Sequence, residues 1–392
     1  MKKLSWQRFL LSTLSYVLVA AVSAAVALVL WGTPDSKLSE LEQIIQDRFI
    51  GQADMEQAKD AAANAMVNAL GDRWSYYISA QEYAAHQENK NNAYVGIGIT
   101  VTKREDGSGF DILEVAPGGS AQEVGVLPGD ILVEAEGQSL LELDTDEVSA
   151  LIRGEEGTDV SLTVIRNGER KTYTMERRSI RVTVATGELL PGNIGLVRIA
   201  NFNAGCAKET IAAVEQLRQQ GAEKLIFDVR NNPGGYVNEM IKVLDYLLPE
   251  GVLFRDLDYL GNEGAEYSDE ACLELPMAVL VNGNSYSAAE FFAAALDEFE
   301  WANVVGEPTT GKGHYQNTIM LSDGSAVNLS TGKYFTPSGK NLSEVGGLKP
   351  DVEVPVDKET AALIYAQAVP AAEDPQIQAA VVALEGNTDK NP

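Results

Sequence analysis

From Phe9 to Trp31 the chain runs without a charge, behind Lys2, Lys3 and Arg8 and ahead of Asp35 and Glu40. At about 1.5 Å of helical rise per residue such a stretch covers the roughly 30 Å hydrocarbon layer, and the preceding cations mark the cytoplasmic side. The apolar run of a cleaved signal peptide is usually shorter, about 7 to 15 residues, so residues 1–33 read as an uncleaved signal anchor. That places the remainder outside the cytoplasm, in a single-pass protein of the cell membrane. In the next stretch Leu38, Leu41, Ile44, Ile45 and Phe49 recur at intervals of three and four, and Ala58 to Leu70 is alanine-rich, which predicts helices packed on one another within residues 34–92. No motif there suggests chemistry, and His86 lies in a polar run that predicts a surface position.

At Ala93 the pattern changes to short β-branched runs broken by glycine turns. Arg166-Asn167-Gly168-Glu169 sets an Asn-Gly turn between two alternating stretches, a strong hairpin signal, and residues 93–178 read as a small β-rich module. Residues 179–356 alternate between the two periods. Leu225 to Val229 and Met277 to Val281 are continuous apolar strands, whereas Val237 to Leu248 and Ser287 to Phe299 carry helical spacing. This is α/β organisation, in which sites gather where strands end and helices begin. Residues 357–392 form a helical tail whose polar end, NTDKNP, is expected to fray. The fold class is thus mixed α/β and α+β over several domains.

Composition narrows the function. The 392 residues carry a net charge of -27, and without the three cations of the first 33 residues the remainder carries -30. Phosphate binding needs a basic footprint, so nucleic acid is excluded as a partner. Cys206 and Cys272 are too few for a disulfide framework, and neither they nor the two histidines have metal-ligand spacing, so no metal or organic cofactor is implied.

Three segments carry candidate chemistry. Asn284-Ser285-Tyr286-Ser287-Ala288-Ala289-Glu290 joins an apolar strand to an apolar helix, where a serine hydroxyl lies near free helix-start amides but could equally be a cap. Gly306 to Gln316 holds Lys312 between two glycines. If residues 312–316 run as a strand, Lys312, His314 and Gln316 share one face, although a solvated loop lysine would look the same. Arg230-Asn231-Asn232-Pro233-Gly234-Gly235 follows a strand and opens a helix, so its glycine amides can face an oxyanion, as a plain turn could also do.

In this order the three segments resemble the carboxyl-terminal processing (tail-specific) protease family, with further matching pieces at Gly71 to Tyr77, Tyr334 to Gly339 and Gly346 to Asp351. Likewise Tyr94 to Ile99, Pro117 to Ala121 and Leu127 to Leu132 resemble a PDZ domain of the bacterial protease-associated kind. The first resemblance implies a serine endopeptidase with Ser287 as nucleophile, Lys312 as base and Gln316 orienting the lysine, and oxyanion amides from Ala288 and Gly235. The second implies that Gly96, Ile97 and Gly98 receive the carboxyl end of a protein or peptide substrate and gate activity. Tyr286, Ala289 and His314 depart from the family pattern, which keeps His314 open as a base and Ser285 as a nucleophile. An inactive PDZ scaffold that only binds protein C-termini is the competing reading; a trypsin-like PDZ protease would need the PDZ module after its catalytic domain. Neither reading fixes the oligomeric state, which a homo-oligomer would satisfy.

Overall fold

The computed structural model describes residues 37–386, so the apolar run at residues 9–31 and the polar end at 387–392 lie outside it. Among the described residues no helix is long and apolar enough to cross a membrane. The chain divides at Gly71 into two compact units. The first holds the helices Lys37–Arg48 and Met55–Asn68, joined by a Lys59–Glu42 ion pair at 2.9 Å. Neither helix buries a residue, and Leu41, Phe49 and Met66 are exposed. Among the described residues of this unit no apolar side chain is buried.

The second unit, Asp72–Pro392, contains three sheets and a short two-stranded ribbon. One six-stranded sheet runs in the order Ala185–Leu190, Ile194–Ile199, Lys224–Asp228, Met277–Val281, Ala302–Gly306 and Val352–Glu353, parallel throughout except for its first pair. Its central strands are mostly apolar, as in Leu225–Phe227 and Met277–Val281, because both faces are covered, with successive side chains facing opposite ways. Leu225, Phe227, Val279 and Val281 pack with the helices Cys206–Gln219, Val237–Leu247 and Ala288–Glu298. Ile226, Ala278 and Leu280 face the other way, onto Ile377, Ala380 and Leu384 of the tail helix Pro375–Glu385. The tail thus completes the core of the sheet.

A second sheet is built on the long strand Ala326–Phe335, which pairs with His314–Met320, with Gly251–Asp258 and with Tyr76–Ile78. Between Tyr76–Ile78 and the parallel sheet in sequence comes the β-rich module, six antiparallel strands from Ile99–Lys103 to Glu169–Glu176 around its own core of Phe110, Leu132, Val160 and Leu162. Asn167 and Gly168 adopt φ of 53° and 84°, the left-handed pair that a tight two-residue hairpin requires. Inside the module Arg166 grips the buried Asp130 through two hydrogen bonds of 2.6 Å. Ala93–Gly96 and Arg178–Arg181, at the two ends of this segment, pair with each other.

Candidate active site

Chain direction places the site. The strand Met277–Val281 ends at a turn that opens the helix Ala288–Glu298, and Ser287 sits on that turn with φ 59° and ψ -129°. A β-carbon pays a steric penalty at positive φ, so such a residue is held there by its surroundings, as at the sharp strand-to-helix turns that present nucleophilic serines. The hold comes from Glu290. Its carboxylate, with the residue 0% exposed, accepts the Ser287 amide at 3.0 Å, the Gly311 amide at 2.6 Å, the Lys312 amide at 2.9 Å and the Thr309 hydroxyl at 2.5 Å. One buried side chain therefore fixes the serine turn and the lysine loop together.

Ser287 is 4% exposed and Lys312 9% exposed. The Lys312 ammonium lies 4.7 Å from the ring centre of Trp74 and 6.0 Å from that of Tyr286, and those two rings pack at 5.4 Å. Burial, aided by the nearby positive charge of Lys90, brings its pKa down to about 8, against the opposing pull of Glu290 and Asp72. The amine is therefore partly neutral near neutral pH. Tyr334, packed among Phe254, Phe291 and Tyr315, brings its hydroxyl within hydrogen-bonding reach of Ser287. Burial raises that phenol well above its ordinary range, so it stays protonated.

The Pro-Gly-Gly turn meets the serine through Gly234. A β-carbon there would fall 2.8 Å from the Ser287 β-carbon and 2.9 Å from the Ala288 nitrogen, so only glycine permits the approach. Gly235 instead presses on the backbone of Phe202 and Asn203 in a parallel bridge. The Gly234 amide is bonded to the Asn232 side chain at 2.8 Å, whereas neither the Ala288 nor the Gly235 amide meets a backbone or side-chain acceptor among the described residues. Those two amides are the available donors.

The one-face alignment of Lys312, His314 and Gln316 does not form. The strand begins at His314, leaving Lys312 in the loop before it, and a bulge between Tyr315 and Gln316 breaks the alternation that would align the three side chains. The Gln316 side-chain NH2 donates to the His314 carbonyl at 3.1 Å and the Ser330 hydroxyl at 3.0 Å. His314 pairs with Lys333 across the strands and, among the described residues, gives no carboxylate a hydrogen bond of the kind that orients a histidine base. Ser285 is fully buried with its hydroxyl donating to the Val229 carbonyl at 2.7 Å and accepting from the Asn282 amide at 3.0 Å, a structural role. Both cysteines are free, and burial pushes the Cys206 thiol up to about 12.

Sequence reasoning missed Trp74, Glu290 and Tyr334 as site residues. Each stands inside a motif quoted above, but the motif shows no contact. Asp72 hydrogen-bonds the Ser75 hydroxyl at 2.6 Å, whose oxygen in turn accepts from the Ser330 amide, and this holds Trp74 at the site. The segment before the β-rich module thus does supply a residue to it. In the module, a cleft of about 260 Å³ is lined by Tyr94, Gly96, Ile97, Gly98, Ile152 and Arg153, beside the edge strand Ile99–Lys103. Among the described residues no cluster of histidine, cysteine or carboxylates has a metal-binding arrangement.

Peptidase family S41 matches residues 193–354, and a PDZ domain matches residues 112–166. The chain is 32% identical over 357 residues to the carboxy-terminal processing protease CtpA of Bacillus subtilis (strain 168), spanning 86% of this chain and 75% of that protein. It is 30% identical over 370 residues to a CtpA-like serine protease of Staphylococcus aureus (strain COL), spanning 90% and 73%. Its fold is similar to that of an S41 protease from Bacteroides fragilis, with a TM-score of 0.52 at 18% identity over 91% of this chain and 98% of the other. The protein is a serine peptidase carrying a PDZ domain. It belongs to family S41, among the carboxyl-terminal processing proteases.

Proposed function

We propose that this peptidase cleaves proteins or peptides at or near their C-termini with a Ser287–Lys312 dyad, outside the cytoplasm, and that its PDZ domain binds substrate C-termini and gates activity. The observation that carries the dyad is the buried, partly neutral Lys312 tied through Glu290 to the strained Ser287. The Lys312 amine takes the Ser287 proton as the oxygen bonds to the scissile carbonyl carbon, returns it to the leaving nitrogen, and then activates the water that hydrolyses the acyl-enzyme. The Ala288 and Gly235 amides receive the developing oxyanion. Gln316 contributes by bracing the lysine loop through the His314 carbonyl. The extracytoplasmic location rests on the apolar run at residues 9–31 behind its cations.

Because the reactive form of Lys312 is the deprotonated one, kcat/KM should rise with pH and level off above about 8, the value to which burial brings this lysine. Initial rates on a fluorogenic peptide across pH 6 to 9 test this; a profile that falls through that range would remove lysine as the base.

The PDZ reading rests on the open edge strand beside Gly96, Ile97 and Gly98, where an extended peptide can add to the sheet. A ligand shifts activity only if it binds the active arrangement better than the inactive one. A peptide with a free apolar carboxyl end should therefore stimulate cleavage of a separate reporter at concentrations where its amidated twin does not. Equal behaviour of the two would reduce the module to a packing element.

A further inference from the structure

The turn Arg230–Gly235 carries one of the two oxyanion amides of the proposed reaction, and the C-terminal tail holds its first residue. Arg230 is buried with its guanidinium forked onto Asp228, at 2.9 Å from Nε and 2.7 Å from Nη2. Its remaining nitrogen, Nη1, reaches Asp374 at 2.9 Å and Gln376 at 2.9 Å, residues lying more than a hundred positions further along the chain. A planar guanidinium bound on both sides has no freedom left, so the backbone at Arg230 is fixed where it leaves the strand. From there the turn is rigid. Asn231 takes φ 58° and its amide donates to the Asn282 side chain at 2.9 Å, while the Asn282 and Asn284 amides donate back to its Oδ1 at 3.0 and 3.1 Å. The Asn232 side chain donates to the Ile199 carbonyl at 2.8 Å and its carbonyl accepts the Tyr286 amide at 3.2 Å. Every link between Arg230 and the serine turn is thus a short polar contact, with no slack to absorb a shift of the arginine.

We propose that Asp374, with Gln376, is a positioning residue for peptide hydrolysis: the tail clamps Arg230 so that the Gly235 amide stays aimed at the oxyanion. Asp374 also caps the tail helix by accepting the Gln376 and Ile377 amides at 2.9 and 3.1 Å, so the clamp is set only when that helix is formed and docked. Beside the ion pair lies a cavity of about 700 Å³, lined in part by Asp228, Arg230, Asn231 and Asp374. It is polar and large enough to admit a small carboxylate to the guanidinium.

The inference rests on the Ser287–Lys312 reading, and the experiment separates the two. In the full chain Asp374→Asn keeps a good helix cap and leaves Asp228 on Arg230 but removes one buried charge, so its melting temperature should fall, and kcat is read well below the transition, where circular dichroism shows the variant folded. Its kcat should fall between about tenfold and 100-fold with KM little changed, the range expected when a remote change displaces an oxyanion donor. Affinity for a peptide aldehyde, whose adduct oxygen occupies the oxyanion site, should fall in step. In Asp374→Ala, added formate should restore part of the lost kcat by entering the cavity and pairing with Arg230. Should that variant not fold, Asp374→Asn carries the test by the kcat and aldehyde readings alone. If Ser287→Ala is inactive while Asp374→Asn retains full kcat and full aldehyde affinity, the clamp is wrong and the dyad stands. Activity surviving in Ser287→Ala overturns both.

Discussion

Ser287→Ala and Lys312→Ala are each expected to lower kcat by about 10⁴- to 10⁶-fold while the protein folds as before, the range found when one member of a serine-protease catalytic group is removed. The serine substitution deletes the attacking oxygen. The lysine substitution deletes the buried amine that packs against Trp74 and Tyr286. Lys312→Arg sharpens the test, because a guanidinium keeps charge and length but cannot give up its proton in a protein, and so should be as inactive as the alanine variant. Residual activity in each, measured as release of a fluorophore from a peptide with the fold checked by circular dichroism, decides it. An arginine variant close to the parent would mean that the cation holds substrate and accepts no proton.

Glu290→Ala should be the most damaging change outside the reacting pair, and should act on stability as well as rate. The carboxylate satisfies three backbone amides and one hydroxyl in a site with no solvent access. Leaving buried donors without an acceptor costs about 1–3 kcal/mol each, though the loop can relax, so a loss on the order of 3–5 kcal/mol is expected. Activity should be lost with it, since the serine turn and the lysine loop are no longer tied. Glu290→Gln keeps one acceptor oxygen, should lose less stability, and should still be slow. The decisive comparison is urea unfolding beside kcat: a Glu290→Gln enzyme that is fully active would show that the tie serves folding only.

Much of the fold was legible because it is locally determined. The Asn167-Gly168 turn, the apolar strands at Leu225 and Met277 and the helix after Ser287 each follow from spacing within a dozen residues. What was not legible depends on distant partners. Nothing near Trp74 shows that it will lie against Lys312, and nothing near Asp374 shows that it will meet Arg230. The shared face of Lys312, His314 and Gln316 fails for a different reason: the alternation rule assumes an unbroken strand, whereas the strand starts at His314 and a bulge follows Tyr315. The Pro-Gly-Gly turn was placed correctly near the serine, but which glycine makes the close approach is a matter of φ angles and contacts that residue type does not carry, and it is Gly234. Glu290 looked like the acid of a motif; that it accepts from two segments at once needs three dimensions.

The pairing of Tyr76–Ile78 with Ala326–Asn328 sets a timetable for synthesis. Trp74 and its strand leave the ribosome about 250 residues before the strand that receives them. At roughly 5–20 residues per second this is a wait of about 10 to 50 seconds, during which the β-rich module, whose apolar core is drawn from its own residues, can form that core. The Trp74 wall against which Lys312 packs is therefore not anchored until the strand Ala326–Phe335 has been made. A peptidase whose proposed site needs strands made about 250 residues apart is expected to stay idle until the later one emerges.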